Sequence, residues 1–153
     1  MQDLLALKEA LEKPEIGKKR YEIAGQFKSK RHVPLSWIRK WLDADWHTMG
    51  CNYLWLAAMN ACINRPNTPI YVIYRGLCKP DPYTFNAAIE ACRGRKIPPR
   101  ILLSWWCDSG NVVLQLAALA TCIDNPNVPE EIIERARTHK DIRIRKMAEQ
   151  ITG

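Results

Sequence analysis

A short phrase recurs along this chain at a fixed interval and constrains its fold more than any other feature. A pair of alanines with a cysteine four residues after the second alanine occurs three times, at Ala57-Ala58 with Cys62, Ala87-Ala88 with Cys92, and Ala117-Ala118 with Cys122. The interval is 30 residues, and a weaker fourth copy follows at Met147-Ala148, with Ile151 one residue before the cysteine position. A period in the range of ~20–50 residues is typical of stacked-repeat proteins.

The pattern between these phrases is helical. Apolar residues recur at helical spacing, turn residues separate the segments, and no stretch alternates with period two, so we expect an all-α protein without a sheet. Prolines at 34, 69, 99 and 129 are each predicted to occupy the first position of a helix. The sequence predicts a right-handed α-α solenoid of about five helix pairs in one domain, residues 1–153, with a degenerate first repeat (1–28) and repeats 29–63, 64–93, 94–123 and 124–153.

The repeated small residues have a packing explanation. Alanines in the middle of each second helix let neighbouring helices approach closely, and the cysteines at the same point of successive repeats are interpreted as small buried spacers. Helical periodicity also places Tyr21, Phe27, Trp37, Trp41 and Trp106 in the core. The second repeat carries five extra residues within 43–50, and an insertion of this kind maps to a loop at one edge of a stack.

The charge of the chain is basic and uneven. The net charge is +7; Lys and Arg outnumber Asp and Glu by ten to seven in residues 1–50 and by seven to two in residues 51–100, whereas residues 101–153 hold six and seven. A basic surface favours anionic partners. No apolar run of ~18 residues is present, and the N-terminal stretch is acidic where a signal peptide is basic, so a cytoplasmic protein that does not span a membrane is expected.

Residues 125–133 (NPNVPEEII) followed by 141–148 (DIRIRKMA) resemble the bacterial leucine-rich repeat variant and, more broadly, HEAT-like repeats. Residues 64–69 (NRPNTP) repeat the opening, and the resemblance covers about residues 30–153. The resemblance implies a non-enzymatic protein that binds proteins or nucleic acid on a curved face. One HEAT-like branch, the alkylpurine DNA glycosylases, excises damaged bases with Trp and Asp, but this chain matches no residue-level motif of that branch.

Two sets of surface residues are candidates for partner binding. Aromatic residues in or beside the insertion and on the second helices are candidate protein anchors: Trp46, Trp55 and Phe85. For Trp46 and Trp55 the alternative is packing of the insertion onto its own repeat. Basic residues in a first-helix column and in one inter-repeat loop are candidate anion or nucleic-acid contacts: Lys40, Arg75, Arg93, Arg95, Lys96, Arg100 and Arg135. Their alternative role is a solvated outer surface.

Enzyme chemistry has little support in the sequence. Asp43, Asp45 and His47 form the only acid–base cluster that is close in sequence, and loop aspartates usually cap helices or turns. No cysteine or histidine pair has zinc spacing and no glycine-rich phosphate loop occurs, so no catalytic residue, metal or cofactor is assigned.

The sequence therefore predicts a non-enzymatic binding module that docks an acidic macromolecule, favouring a protein, on its curved face. The alternative is a nucleic-acid-binding HEAT-like protein, including one with DNA base-excision activity. Charged residues in the last helix, Arg143, Arg145, Lys146 and Glu149, predict a C-terminal cap that faces water. The leucines of the first helix, Leu4, Leu5, Leu7 and Leu11, predict an N-terminal end covered by a partner or by a second copy in a homodimer.

Overall fold

The computed structural model of the protein describes residues 2–13, 18–45, 47–93, 95, 97, 99–107, 111–123 and 129–152. Within these residues the chain is all-α, as predicted, and contains no strand. Besides a 3-10 helix at Phe27–Ser29, the helices are α1 (Gln2–Glu12), α2 (Lys18–Gln26), α3 (Leu35–Leu42), α4 (Cys51–Ile63), α5 (Ile70–Leu77), α6 (Pro82–Cys92), α7 (Pro99–Cys107), α8 (Val112–Cys122), α9 (Glu130–Arg137) and α10 (Ile142–Thr152).

The chain divides into two compact units, Met1–Ala91 (unit 1) and Cys92–Gly153 (unit 2). The predicted solenoid arrangement and the number of repeats stay predictions.

Helix α4 is the centre of unit 1. It packs against α1, α2, α3 and α5, and ten of its thirteen residues are buried. The sequence of α4 has no continuous polar face, and a helix that is apolar on all sides must be covered on all sides. This explains why so many helices surround it. Where α4 meets α5, a Cβ atom added to Gly76 would lie 2.0 Å from the Sδ atom of Met59. A larger residue at this position would therefore force the Met59 side chain to move.

The N-terminal helices close one side of α4. Leu4 and Leu11 of α1 are buried and Leu7 is half-buried, while Leu5 is exposed, so the α1 stripe mostly packs within its own chain. The guanidinium of Arg20, on α2, donates hydrogen bonds to the Leu11 carbonyl (2.8 Å) and the Met49 carbonyl (3.0 Å). Unit 1 therefore supplies its own cover for Leu4, and the homodimer through α1 stays a prediction.

Unit 2 is built around α8, which is buried from Leu114 to Cys122 and packs against α7 and α10. Helix α9 packs on α10. On α10, Arg143, Lys146 and Glu149 are exposed, while Arg145 is half-buried and donates to the carbonyls of His139 (2.7 Å) and Lys140 (3.1 Å). The role of this helix as a C-terminal cap stays a prediction.

The N-terminal caps of three helices recur at the same 30-residue interval as the phrase. An Asp or Asn side chain caps the second helix at positions 30 residues apart: Asp81 accepts from Thr84 N, Asn111 from Leu114 N and Asp141 from Arg143 N. Proline positions differ from the prediction by one residue. Pro34, Pro69 and Pro129 precede their helices in extended conformation, each with a carbonyl that accepts the first helical hydrogen bond, while α7 begins at Pro99.

Core positions are mostly as the helical pattern predicts. Phe27, Trp41 and Trp106 are buried, and the alanines and cysteines of the phrase are buried in all three copies. Trp37 is half-buried. Tyr21 is a correction: its side chain is 43% exposed, because the buried face of α2 runs through Ala24 and Phe27 instead.

Candidate binding groove

Unit 1 has a groove on the face formed by α2, α4 and α6, which are the second helices of the predicted helix pairs. Its volume is about 280 Å³, near the small end of the range for ligand pockets. The lining residues come from all three helices and the 3-10 turn: Tyr21, Gly25 and Lys28; Leu56 and Asn60; Tyr83, Asn86, Ala87 and Glu90. We call this site the inner groove.

Two side-chain pairs bridge α2 and its 3-10 extension to α6 across α4. The rings of Tyr21 and Tyr83 meet edge to face with centroids 5.3 Å apart, and Lys28 Nζ lies 3.1 Å from Glu90 Oε2. Both pairs are separated by 62 residues in sequence (21 to 83, 28 to 90), so the two walls run in the same direction and in register. At 1.5 Å per residue the tyrosine pair and the ion pair stand roughly 10 Å apart along the groove.

Small residues make the room between these two bridges. A Cβ atom added to Gly25 would meet no other atom within 4 Å, so the α2 backbone faces open space there. Opposite it, α6 contributes Ala87, and Leu56 provides an apolar floor. The groove can therefore admit a ligand group directly against the main chain of α2.

The lining offers neutral hydrogen-bonding groups. Asn60 uses its Nδ2 to donate to the Ala24 carbonyl (3.0 Å), which ties α4 to α2 and leaves the Oδ1 acceptor. Among the residues the structure describes, the Asn86 amide and the Tyr21 and Tyr83 hydroxyls have no hydrogen-bond partner. A side-chain amide carries both donor and acceptor and can pair with a peptide backbone.

The predicted aromatic anchors are not at this groove. Trp55 was predicted as an exposed anchor, and this is wrong: only 3% of it is exposed. Its Nε1 donates to the Ala44 carbonyl (2.9 Å) and the Lys79 ammonium lies over its ring, so the insertion packs onto its own repeat. Phe85 is half-buried, and Trp46 lies outside the described residues. The partner-binding role of Phe85 and Trp46 stays a prediction.

Three of the seven predicted basic residues have carboxylate partners. Lys40 Nζ lies 3.5 Å from Glu12 Oε2, and Arg75 Nη2 lies 2.6 Å from Asp43 Oδ1. Arg135 Nη2 lies 3.0 Å from Glu131 Oε1. Arg93 and Arg100 are exposed and Arg95 is half-buried, while Lys96 lies outside the described residues. Anion binding by this set stays a prediction, and its paired members have less charge to offer a phosphate.

The acid–base cluster of the insertion has structural roles. Asp45 Oδ1 accepts from the backbone N–H of His47 (2.9 Å), and Asp43 pairs with Arg75. In the described part of the chain no group of three or more His, Cys, Asp or Glu is placed to hold a metal ion. Burial raises the pKa of the Cys122 thiol to about 11, so this phrase cysteine is a protonated packing residue at neutral pH.

Sequence reasoning missed the residues of the inner groove. The signal that marks them is a matched spacing: Tyr21 and Lys28 are seven residues apart, as are Tyr83 and Glu90. Complementary residue types at equal spacing on two second helices indicate contact between those helices. The core prediction for Tyr21 concealed this pattern.

Comparison with protein-family models, with curated proteins and with solved structures finds no match. The resemblance to HEAT-like repeats therefore rests on the sequence pattern alone. None of the described helices has the length and apolar character needed to cross a membrane.

Proposed function

We propose that the protein is a non-enzymatic binding module and that its inner groove holds an extended segment of a partner protein. The observation that carries this proposal is the groove itself, in which open amide and hydroxyl groups lie beside exposed tyrosine rings over an apolar floor. Peptide segments offer alternating backbone donors and acceptors together with side chains, and this lining complements both.

The charge of the lining favours protein over nucleic acid. Among the described residues of the lining, Lys28 is the only cation, and its Nζ already pairs with Glu90 Oε2 at 3.1 Å. Nucleic-acid binding depends on cations that neutralise successive phosphates, and affinity then falls steeply with salt. The net charge of +7 supports the nucleic-acid alternative, and a gel shift with duplex DNA, single-stranded DNA and RNA at low salt tests it.

The finer architecture belongs to the same proposal. The recurrence of helix caps at Asp81, Asn111 and Asp141 supports a right-handed solenoid of helix pairs with a period of 30 residues. The three cysteines of the phrase are buried packing residues, which supports a reducing cytoplasmic location. Scattering from the full chain in solution tests the solenoid.

Gly25 allows a test in which the groove is filled while the fold is kept. Because an added Cβ meets no atom, Gly25→Met places a long apolar side chain in the groove, and Gly25→Ala is the matched control that leaves most of the space. A displayed library of random linear peptides is selected on the wild-type protein, and enriched peptides are synthesised with a fluorophore. We expect Gly25→Met to weaken their binding by more than about tenfold, equivalent to ~1.4 kcal/mol, and Gly25→Ala to keep it.

Enriched peptides that bind Gly25→Met as well as they bind wild type would contradict the groove assignment. Failure of the library to yield any binder would contradict peptide binding itself. Circular dichroism of both variants confirms that the helices are intact.

A further inference from the structure

A basic segment follows directly from one end of the inner groove. Residues 28–32 (KSKRH), which we call the basic turn, hold two lysines, an arginine and a histidine. Lys28 lines the groove, and Arg31 is three residues further on, so their Cα atoms are at most roughly 11 Å apart. A ligand that leaves the groove at its Lys28 end meets this turn.

The basic turn is held in place at both ends. Phe27 before it and Val33 after it are fully buried side chains. Asn64 donates to the Lys28 carbonyl, Arg65 Nε donates to the Val33 carbonyl (3.0 Å), and Lys30 N donates to the Phe27 carbonyl (3.2 Å).

Within this turn His32 adopts a φ of 62°, a left-handed conformation that is uncommon for a residue other than glycine. The backbone is therefore fixed while the charged heads point outward, which limits the ordering cost of binding.

The charges of the turn are mostly uncompensated. Lys28 pairs with Glu90, but within the described residues neither Lys30 nor Arg31 has a carboxylate within 4.0 Å. Arg31 and His32 are exposed and Lys30 is half-buried. Elsewhere in unit 1, Lys40 and Arg75 each have a carboxylate partner.

The inner groove thus has two unlike ends. The tyrosine end presents the exposed rings of Tyr21 and Tyr83, and the other end presents Lys28 and the basic turn. The ends are roughly 10 Å apart, which an extended chain covers in about three residues. This asymmetry specifies both the composition and the direction of a bound segment.

We infer that the inner groove selects a segment that carries an aromatic or apolar side chain at one end and, about three residues away, two or more acidic side chains that bind Lys28, Lys30 and Arg31. The inference rests on the proposed function and adds its ligand class. An incoming carboxylate competes with Glu90 for Lys28, while Lys30 and Arg31 add attraction that no carboxylate of the described residues offsets by an ion pair. The cations are confined to one turn and do not follow a path of successive phosphates, which favours an acidic peptide over nucleic acid.

The test compares two charge reversals of equal size. Lys30→Glu with Arg31→Glu removes the basic turn, and Arg137→Glu with Lys140→Glu makes the same change in net charge at exposed positions of unit 2. The random peptide library is selected on wild type and on both variants. We expect wild type and the unit 2 variant to enrich peptides with Asp or Glu about three residues from an aromatic or apolar residue, and the basic-turn variant to enrich Lys or Arg there.

Binding of the acidic peptides, followed by fluorescence anisotropy, should weaken more than about tenfold in the basic-turn variant and stay within about twofold in the unit 2 variant. Selected peptides without acidic residues, or acidic peptides that both variants bind equally well, would overturn the inference. Such peptides would leave the proposed function intact if Gly25→Met still abolished their binding. A gel shift with single-stranded RNA or duplex DNA that is lost in the basic-turn variant but unaffected by Gly25→Met would overturn it in favour of nucleic acid.

Discussion

The same repeat positions have opposite characters in the two units. On α6 of unit 1, the groove positions hold Tyr83, Asn86 and Glu90, and Tyr83 is 57% exposed. Thirty residues later, on α8 of unit 2, the corresponding residues are Val113, Leu116 and Ala120, of which Leu116 and Ala120 are buried. One unit leaves this helix face open and polar, and the other uses it for packing.

The comparison shows which positions keep the same residue type from one repeat to the next and which positions change. The Ala-Ala phrase and its cysteine are buried on both α6 and α8. The phrase therefore reports how second helices pack and carries no information about binding. Binding capacity lies in the positions between the phrase residues, where the side chains change from one unit to the next.

The largest effect on the free energy of unfolding is expected for Leu116→Ala in unit 2, and Asn86→Ala in unit 1 is its comparison. Leu116 is 3% exposed, so its truncation leaves a cavity and should lower the free energy of unfolding by about 2–5 kcal/mol. Asn86 is exposed, and its truncation should change the free energy of unfolding by less than about 0.5 kcal/mol. Urea unfolding followed by circular dichroism measures both. Similar costs at the two positions would erase the distinction.

A second test concerns the buried amides of the two units. Asn60 in unit 1 donates to the Ala24 carbonyl (3.0 Å), and Gln115 in unit 2 donates to the Trp106 carbonyl (3.2 Å). Replacement of either by leucine leaves a buried carbonyl without its donor, which should cost about 1–3 kcal/mol. Asn60→Leu should also weaken peptide binding, because Asn60 lines the groove, whereas Gln115→Leu should leave binding unchanged. Loss of binding in Gln115→Leu, with binding kept in Asn60→Leu, would place the site outside unit 1.

The sequence was sufficient for the helices and the core because periodicity reports burial. It predicted Trp41 and Trp106 in the core correctly, and the fixed interval located the second helices. It left Trp55 open between an exposed anchor and packing of the insertion onto its own repeat, and Trp55 packs through a hydrogen bond to the Ala44 carbonyl in the insertion. The position of a loop main chain depends on tertiary structure, and no periodic pattern encodes it.

The inner groove was missed for a related reason, although the matched spacing of its wall residues is present in the sequence. Its walls are residues 62 positions apart that meet only because α2 and α6 approach each other over α4. The sequence also does not indicate the role of Gly25, because a glycine near the end of a helix usually suggests a helix cap. The open space beside its Cα atom is a property of the packed unit.

A smaller effect is expected from two carboxylates whose pKa values are lowered, Glu12 on α1 and Asp141 just before α10. Burial acts to raise the pKa of Glu12 in unit 1, but hydrogen bonds from Lys8 and Trp41 and the charges of Lys8 and Lys40 outweigh it and hold the pKa below its usual value. A depressed carboxyl pKa stabilises the fold above the pKa of the unfolded chain, and this stability is lost as the pH falls through the folded-state value. Glu12→Gln should therefore cost about 1 kcal/mol at neutral pH.

The cost should shrink as the pH falls below about 4.3, the pKa of glutamate in the unfolded chain, and should vanish only below the lower folded-state pKa. Urea unfolding across a pH series measures the difference between Glu12→Gln and wild type. In unit 2, the Arg143 side chain and backbone N–H hold the pKa of Asp141 below its usual value, so Asp141→Asn should show the same direction of pH dependence. A cost for Glu12→Gln that grows as the pH falls would contradict the assigned partners.

The smallest effect is a gain. Gly25→Ala in the α2 groove wall should raise the free energy of unfolding by about 0.5–1 kcal/mol, because alanine loses less backbone entropy on folding and its Cβ meets no atom. Gly76→Ala on α5 is the matched contrast and should destabilise the protein, since the new Cβ would lie 2.0 Å from Met59 Sδ. Thermal melts of the two variants should move in opposite directions. A melting temperature lowered by Gly25→Ala would show that the space beside Gly25 is occupied.

The central claim is that the open face of unit 1, and not the packed face of unit 2, binds a partner segment. Its most direct test is a nuclear magnetic resonance titration of the isotopically labelled full chain with an acidic peptide selected from the library. The account predicts that the largest shifts occur at the Gly25 backbone amide and at the Asn60 and Asn86 side-chain amides, while the amides of α8 stay in place. Shifts concentrated on α8 and α10, with the Asn86 amide unmoved, would contradict it.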